Sequence, residues 1–201
     1  HHEQILVKMM VHCSMSLGAV MLDRVWAEGE CFDENKKHVE DYDFWSRVIW
    51  KGKLYNIQEV LYHYRIHENQ VSNTFNEIQR NGDVPIKLVF FKKLDYNLAK
   101  FEDSFLKKML LQNEFFSVEE LTLFLKWFTT LQKQNRRLRI YKQPEFNQVL
   151  ESYRKELIYK IYFHSNFCEI DKKWRIQAFN KLSFSDKVYV LKLKIKEKIK
   201  L

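Results

Sequence analysis

Val39-Glu40-Asp41-Tyr42-Asp43-Phe44-Trp45-Ser46-Arg47 places three carboxylates directly ahead of an apolar run. Phe44, Trp45, Val48 and Ile49 recur at helical spacing, and Gly52 supplies a stop. A helix is therefore expected over residues 40–51. Acids in a helix's first turn are favoured by the dipole by about 0.3–1 kcal/mol. The same place suits a general base, because neighbouring carboxylates and partial burial tune a carboxylate's pKa. Both readings stay open on these residues alone.

Upstream, Gly18-Ala19-Val20-Met21-Leu22 is an apolar run ending at Asp23-Arg24 and reads as a buried strand. A short helix is expected from Val25 to Gly29, then a polar loop from Cys31 to His38. Downstream, Leu54–Ile57 and Val60–Ile66 are rich in Tyr, Val and Ile and read as β-structure. On a strand His63, Arg65 and His67 share one face, with Tyr62, Tyr64 and Ile66 on the other. Two imidazoles and a guanidinium on one edge suit a diphosphate or help bind a metal. The plain alternative is a solvated face over a tyrosine-lined core.

After Asn73 the composition changes. Residues 1–74 carry 8 basic and 11 acidic side chains, whereas 75–201 carry 26 and 15. Attraction to an anionic partner therefore resides in the second part. Thr74–Asp83 reads as a linker, and Pro85 stands where a helix would open, with a helical pattern on to about Gln112. Ser117-Val118-Glu119-Glu120 is a capping box. Its helix is expected to run to about Gln134, and Pro144 opens another to about Phe163. Helical patterns also cover 169–181 and 186–200. The expected organisation is residues 1–74 as one part and 75–201 as a basic helical region.

The last residues, 186–201, hold six lysines among aliphatics. As a helix, Val188, Leu191, Ile195 and Ile199 form one stripe, the pattern of a helix on an anionic membrane surface. Alternation from Leu191 to Lys196 also permits a strand, and a helix packed on its own domain fits too. Cys13, Cys31 and Cys168 show no metal-ligand spacing and suit free thiols in a reducing compartment. No apolar run approaches the ~20 residues of a membrane span. The basic helices carry no nucleic-acid-binding motif, so no nucleic-acid partner is expected.

Taken in order, the acidic motif, the Lys51-Gly52-Lys53 turn, Asn56-Ile57-Gln58-Glu59-Val60-Leu61 and Tyr64-Arg65-Ile66-His67-Glu68-Asn69-Gln70-Val71-Ser72 resemble the C-terminal, acceptor-side half of family 2 glycosyltransferases. The resemblance covers about residues 10–73. It implies an α/β fold, a partial glycosyltransferase A-type sandwich, followed by an all-α region. It implies an inverting enzyme that moves a sugar from a nucleotide-sugar donor to a hydroxyl of a glycan or lipid-linked acceptor, as in surface polysaccharide assembly. Asp41 matches the family's catalytic base and Glu40 stands beside it. Asp43, Arg65 and His67 match substrate or diphosphate contacts, His67 also as a metal contact. The cofactor implied is Mn²⁺ or Mg²⁺, and the location is the cytoplasm, at the inner face of the membrane.

One departure is large. No Asp-x-Asp motif and no nucleotide-binding half precede the Glu-Asp pair. The sequence thus reads as a fragment, or as a non-catalytic remnant or partner subunit without the donor site. The Gln-x-x-Arg-Trp motif of processive synthases is also absent, which favours single transfer.

Overall fold

The computed structural model describes residues 1–65, 67, 74–163 and 172–199. Every regular element among them is a helix. The chain forms two compact units, His1–Tyr96 with Gln134–Val149, and Asn97–Lys133 with Leu150–Leu201.

This overturns the expected α/β sandwich. Leu17–Ala19 is a single 3-10 turn, and no strand forms over 18–22, 54–57 or 60–65. The physical reason is pairing. A strand needs a neighbour for its N–H and C=O groups and a layer for its apolar face. Tyr55, Ile57, Val60, Leu61, Tyr62 and Tyr64 are all exposed, so their β-propensity meets no second layer. Ile66 and residues 68–73 lie outside the described residues.

In the first unit, α1 spans His2–Lys8, α2 Arg24–Ala27, α3 Glu40–Val48 and α4 Asn76–Lys92. The α2 helix is capped by Asp23, whose Oδ1 accepts from Val25 N–H at 2.8 Å. Trp26, on the same helix, lies over Gly52: a Cβ there would collide with its indole Nε1. Gly52 is thus needed for close approach, while α3 has already ended at Val48 with Ile49 as its cap.

The α3 helix forms where expected and ends at Val48, sooner than Lys51. It turns Tyr42, Phe44, Trp45 and Val48 into the core. The buried Tyr42 hydroxyl donates to the Met9 carbonyl just beyond α1.

The α4 helix corrects two expectations. It begins at Asn76, so most of the supposed linker is helical, and Pro85 lies inside it rather than at its start. Proline removes one helix bond and crowds the preceding turn. Burial of Val84, Ile86, Leu88, Phe90 and Phe91 offsets that loss, at roughly 1.5–3 kcal/mol for each large side chain.

Gly82 decides how α4 meets α3. These two helices pack together. A Cβ at Gly82 would come within 2.8 and 3.0 Å of the two Val39 methyls. Two more contacts fix the same corner. His38 stacks on Phe75 with ring centroids 4.1 Å apart, and Gln79 Nε2 donates to the His38 carbonyl at 2.9 Å. His38 itself is left-handed, at φ 68°, a conformation uncommon outside glycine.

The unit closes around the turn after α6 (Val118–Leu138), ahead of α7 (Gln143–Phe163). Asn135, fully buried, holds Tyr141 by two bonds of 2.9 and 3.0 Å. The Tyr141 hydroxyl donates to the Phe90 carbonyl at 2.7 Å. Burial pushes that phenol's pKa up, so it stays a donor.

The second unit contains α5 (Asp103–Leu111), most of α6 and α7, α8 (Lys172–Lys181) and α9 (Phe184–Ile199). The helical pattern expected up to Gln112 is therefore broken into α4 and α5. The α6 capping box is present: Glu120 N–H donates to Ser117 Oγ at 3.1 Å, and Ser117 N–H to Glu120 Oε2 at 2.8 Å. Phe124, Trp127 and Leu131 fill the core, and Trp174 Nε1 donates to the Phe116 carbonyl at 3.1 Å. Pro144 sits in the first turn of α7, as expected. The tail is a helix rather than a strand.

The Gly82 contact is testable by a double-mutant cycle. Gly82→Ala should destabilise the protein by about 1–3 kcal/mol, as overpacking does, despite alanine's better helix propensity. Val39→Ala removes both methyls the new Cβ would strike. In urea unfolding, the double variant should lose clearly less than the sum of the two single losses. Additive losses would mean the two residues do not meet.

Candidate active site

The acidic start of α3 is assembled from three segments of the first unit. Val39 at the head of α3 provides no side-chain cap. Asp41 instead turns back on its own helix: its Oδ1 accepts the Tyr42 N–H at 2.7 Å. Its Oδ2 lies 4.0 Å from Cys13 Sγ, in the segment after α1. Asp83, the residue after Gly82, comes from α4.

These groups feel one another. Burial pushes the Asp41 carboxyl above its ordinary range, the Tyr42 N–H opposes this, and Glu40 adds to the rise. Burial also raises Asp83, with Lys87 opposing and Asp41 adding. Lys87 Nζ stands 3.6 Å from Asp83. Burial, and then the charge of Asp41, push the Cys13 thiol up to about 12, so it stays protonated at neutral pH. The thiol donates to the Met15 carbonyl at 3.3 Å.

The other expected residues take different places. Glu40 is exposed and lines an open cleft of about 280 Å³ with Phe32, Asp33, Lys36, Lys37 and His38. The cleft therefore brings cations and a histidine to the mouth of the acidic motif. Asp43 faces another way. It pairs with Arg47 at 3.1 Å, and Arg47 also holds Glu30 and, at 2.6 Å, the Cys31 carbonyl. That set fastens the 30–31 loop to α3. Arg65 and His67 are exposed in coil, so the shared strand face expected for them and His63 does not form. Asn69, Gln70, Val71 and Ser72 of that motif lie outside the described residues. Tyr62 packs its hydroxyl over Gly18, 3.4 Å from where a Cβ would stand.

No group of three or more His, Cys, Asp or Glu that could hold a metal occurs among the described residues. The residues that sequence reading missed are Cys13 and Asp83. Neither belongs to a local motif; each reaches Asp41 only through the packing of the helices.

A half-buried carboxylate with a raised pKa, one oxygen held by a backbone N–H, can accept a proton from a bound hydroxyl. The chain resembles parts of two glycosyltransferases. An uncharacterized glycosyltransferase of Haemophilus influenzae is 41% identical over 56 residues, 28% of this chain and 17% of that protein. An uncharacterized glycosyltransferase of Rickettsia prowazekii is 28% identical over 81 residues, 39% of this chain and 24% of that protein. The matches thus span less than a quarter of either relative's length. No family profile and no solved structure matches the chain.

The pKa directions give a stability prediction. A carboxyl raised in the fold contributes stability that is present below its unfolded pKa. That contribution is lost as pH rises through the folded pKa. For Asp41 the loss begins near its ordinary 3.8 and is complete above the raised value. Asp41→Asn should therefore unfold at higher temperature than wild type at pH 7, with the gain vanishing at low pH. The same variant should lower the midpoint of Asp83 in a carboxyl-detected NMR titration. A variant less stable at pH 7, with Asp83 unmoved, would dismiss the coupled cluster.

Proposed function

We propose that the chain is part of an inverting glycosyltransferase of the family 2 type. It would move a sugar from a nucleotide-sugar donor to a hydroxyl of a glycan or lipid-linked acceptor, in surface polysaccharide assembly. The observation that carries the reading is Asp41: half-buried at the head of α3, raised by burial, one oxygen fixed by Tyr42 N–H. The partial likeness to two glycosyltransferases supports the reaction class.

In the proposed reaction Asp41 accepts the proton of the acceptor hydroxyl. The freed oxygen lone pair attacks the anomeric carbon. The bond from that carbon to the diphosphate oxygen breaks, and the diphosphate leaves with the electron pair. A single displacement inverts the configuration. Glu40 stands at the cleft, where it can orient the acceptor through its hydroxyls. Arg65 and His67 would offset charge on the diphosphate. Asp43 is a weaker candidate for substrate contact, since Arg47 already engages it.

Mn²⁺ or Mg²⁺ belongs to the proposal and would be held by residues other than a cluster in the described part. The free thiols of Cys13 and Cys31 suit the reducing cytoplasm. No helix of the described residues is long and apolar enough to cross a membrane.

The test uses the protein as its gene encodes it, with a panel of nucleotide sugars and either cation. Asp41→Asn should lower kcat by about 10²–10⁴-fold, the usual worth of a general base. Donor affinity by calorimetry should stay unchanged. Glu40→Gln should act mainly on acceptor KM. Normal turnover by Asp41→Asn would remove it as the base, and loss of turnover in Glu40→Gln alone would move that role to Glu40.

A further inference from the structure

The last helix, α9, carries two faces with opposite relations to the protein. Residues Asp186 and Val190 are fully buried in the second unit. Asp186 Oδ2 receives Arg154 at 2.8 Å and the Ser183 hydroxyl at 2.6 Å, and its N–H donates to Ser183 Oγ at 3.2 Å. Ser183 thus caps the helix, and the buried ion pair locks its rotation.

The opposite face stays outside. At 100° per residue, Phe184, Val188, Leu191 and Ile195 fall within a band of about 60° that is about 16 Å long. Phe184 is 84% exposed, Leu191 49% and Ile195 57%. The side turned inward carries Asp186 and Val190, with Tyr189 and Leu193 half-buried beside them, and leaves this apolar band outside. Cations border the band on both sides. Lys187 and Lys194 fall on one flank, Lys192 on the other, with Lys196 beyond it. No acidic residue occurs from Lys187 to Lys196.

We infer that the outward face of α9 is an interfacial helix that lies flat on an anionic lipid surface. Charge complementarity selects that occupant. An apolar band flanked on both sides by lysines places aliphatic groups at the acyl boundary and ammonium groups among anionic headgroups. A nucleic acid would use the lysines and leave Leu191 and Ile195 without a role. The locked rotation presents the band without a rearrangement of the unit. The inference stands apart from the proposed transfer reaction, since neither the helix nor its test involves a sugar.

The experiment is co-sedimentation of the 201-residue chain with phosphatidylcholine vesicles, with and without phosphatidylglycerol. Binding is expected only where phosphatidylglycerol is present, and it should weaken with salt. Lys192→Ser and Lys194→Ser should each lower the partition coefficient by about fivefold. Leu191→Glu with Ile195→Glu should abolish binding. Both positions are exposed, so circular dichroism should show an unchanged fold; Phe184→Ser is a milder second variant and should reduce binding. Equal binding to neutral vesicles, no binding at all, or full binding by the double glutamate variant would overturn the inference. So would duplex DNA binding that depends on the lysines alone, or a dimer dispersed by the glutamates, which would make the face a contact between copies.

Discussion

Gly82 leaves empty the space that the two methyls of Val39 occupy, and the acidic end of α3 is built on that approach. A β-carbon on α4 at this point would press on a stiff, branched side chain that cannot swing aside. Because there is none, the next residue, Asp83, arrives near enough to Asp41 for that charge to push the Asp83 carboxyl up. Gln79 and the N-cap Phe75, one and two turns before Gly82, then clasp His38. The left-handed backbone of His38 persists because this clasp holds it from both ring and carbonyl. One missing methyl group thus sets the position of a helix, the strain ahead of another, and the electrostatics of the carboxylate between them.

What could be read in the sequence was what short-range chemistry decides. The α3 helix, the Ser117–Glu120 box, the proline near the start of α7 and the helical tail each depend on residues within a turn or two of one another. The expected strands failed because a strand is completed elsewhere in the chain or not at all. Tyr55 to Tyr64 have the right side chains and, among the described residues, nothing to pair with. Residues 74–83 looked like a linker because their polarity hides a helix whose apolar half begins only at Val84. Asp83 and Cys13 were invisible as site residues, being unremarkable in their own neighbourhoods. Asp41 was legible as chemistry, but its inward turn toward the Cys13 thiol was not. Ser183-x-x-Asp186 was there to be found as a cap, and it accounts for which face of α9 is buried.

Partial burial gives Asp41 a double character. The features that raise its pKa, burial and the neighbouring Glu40, also make its ionised form a burden on the fold. Such tension is common where a group is held for reactivity rather than for stability. Asp43, two residues on, shows the contrasting arrangement. It faces Arg47, its charge is matched, and it contributes to holding the 30–31 loop.

The first unit is interrupted in the chain: residues 97–133 intervene before Gln134–Val149 return to it. On the ribosome, then, α1 to α4 emerge well before the Tyr141 hydroxyl that closes on the Phe90 carbonyl. Until that later segment is made, the Phe90 carbonyl accepts from the Lys93 N–H but lacks its bond from Tyr141, and the aromatic residues around it lack their cover. A boundary drawn after Tyr96 for expression or proteolysis would cut the unit rather than isolate it. A piece that keeps the whole first unit around Asp41 therefore extends through Val149, well past the last residue of the acidic site.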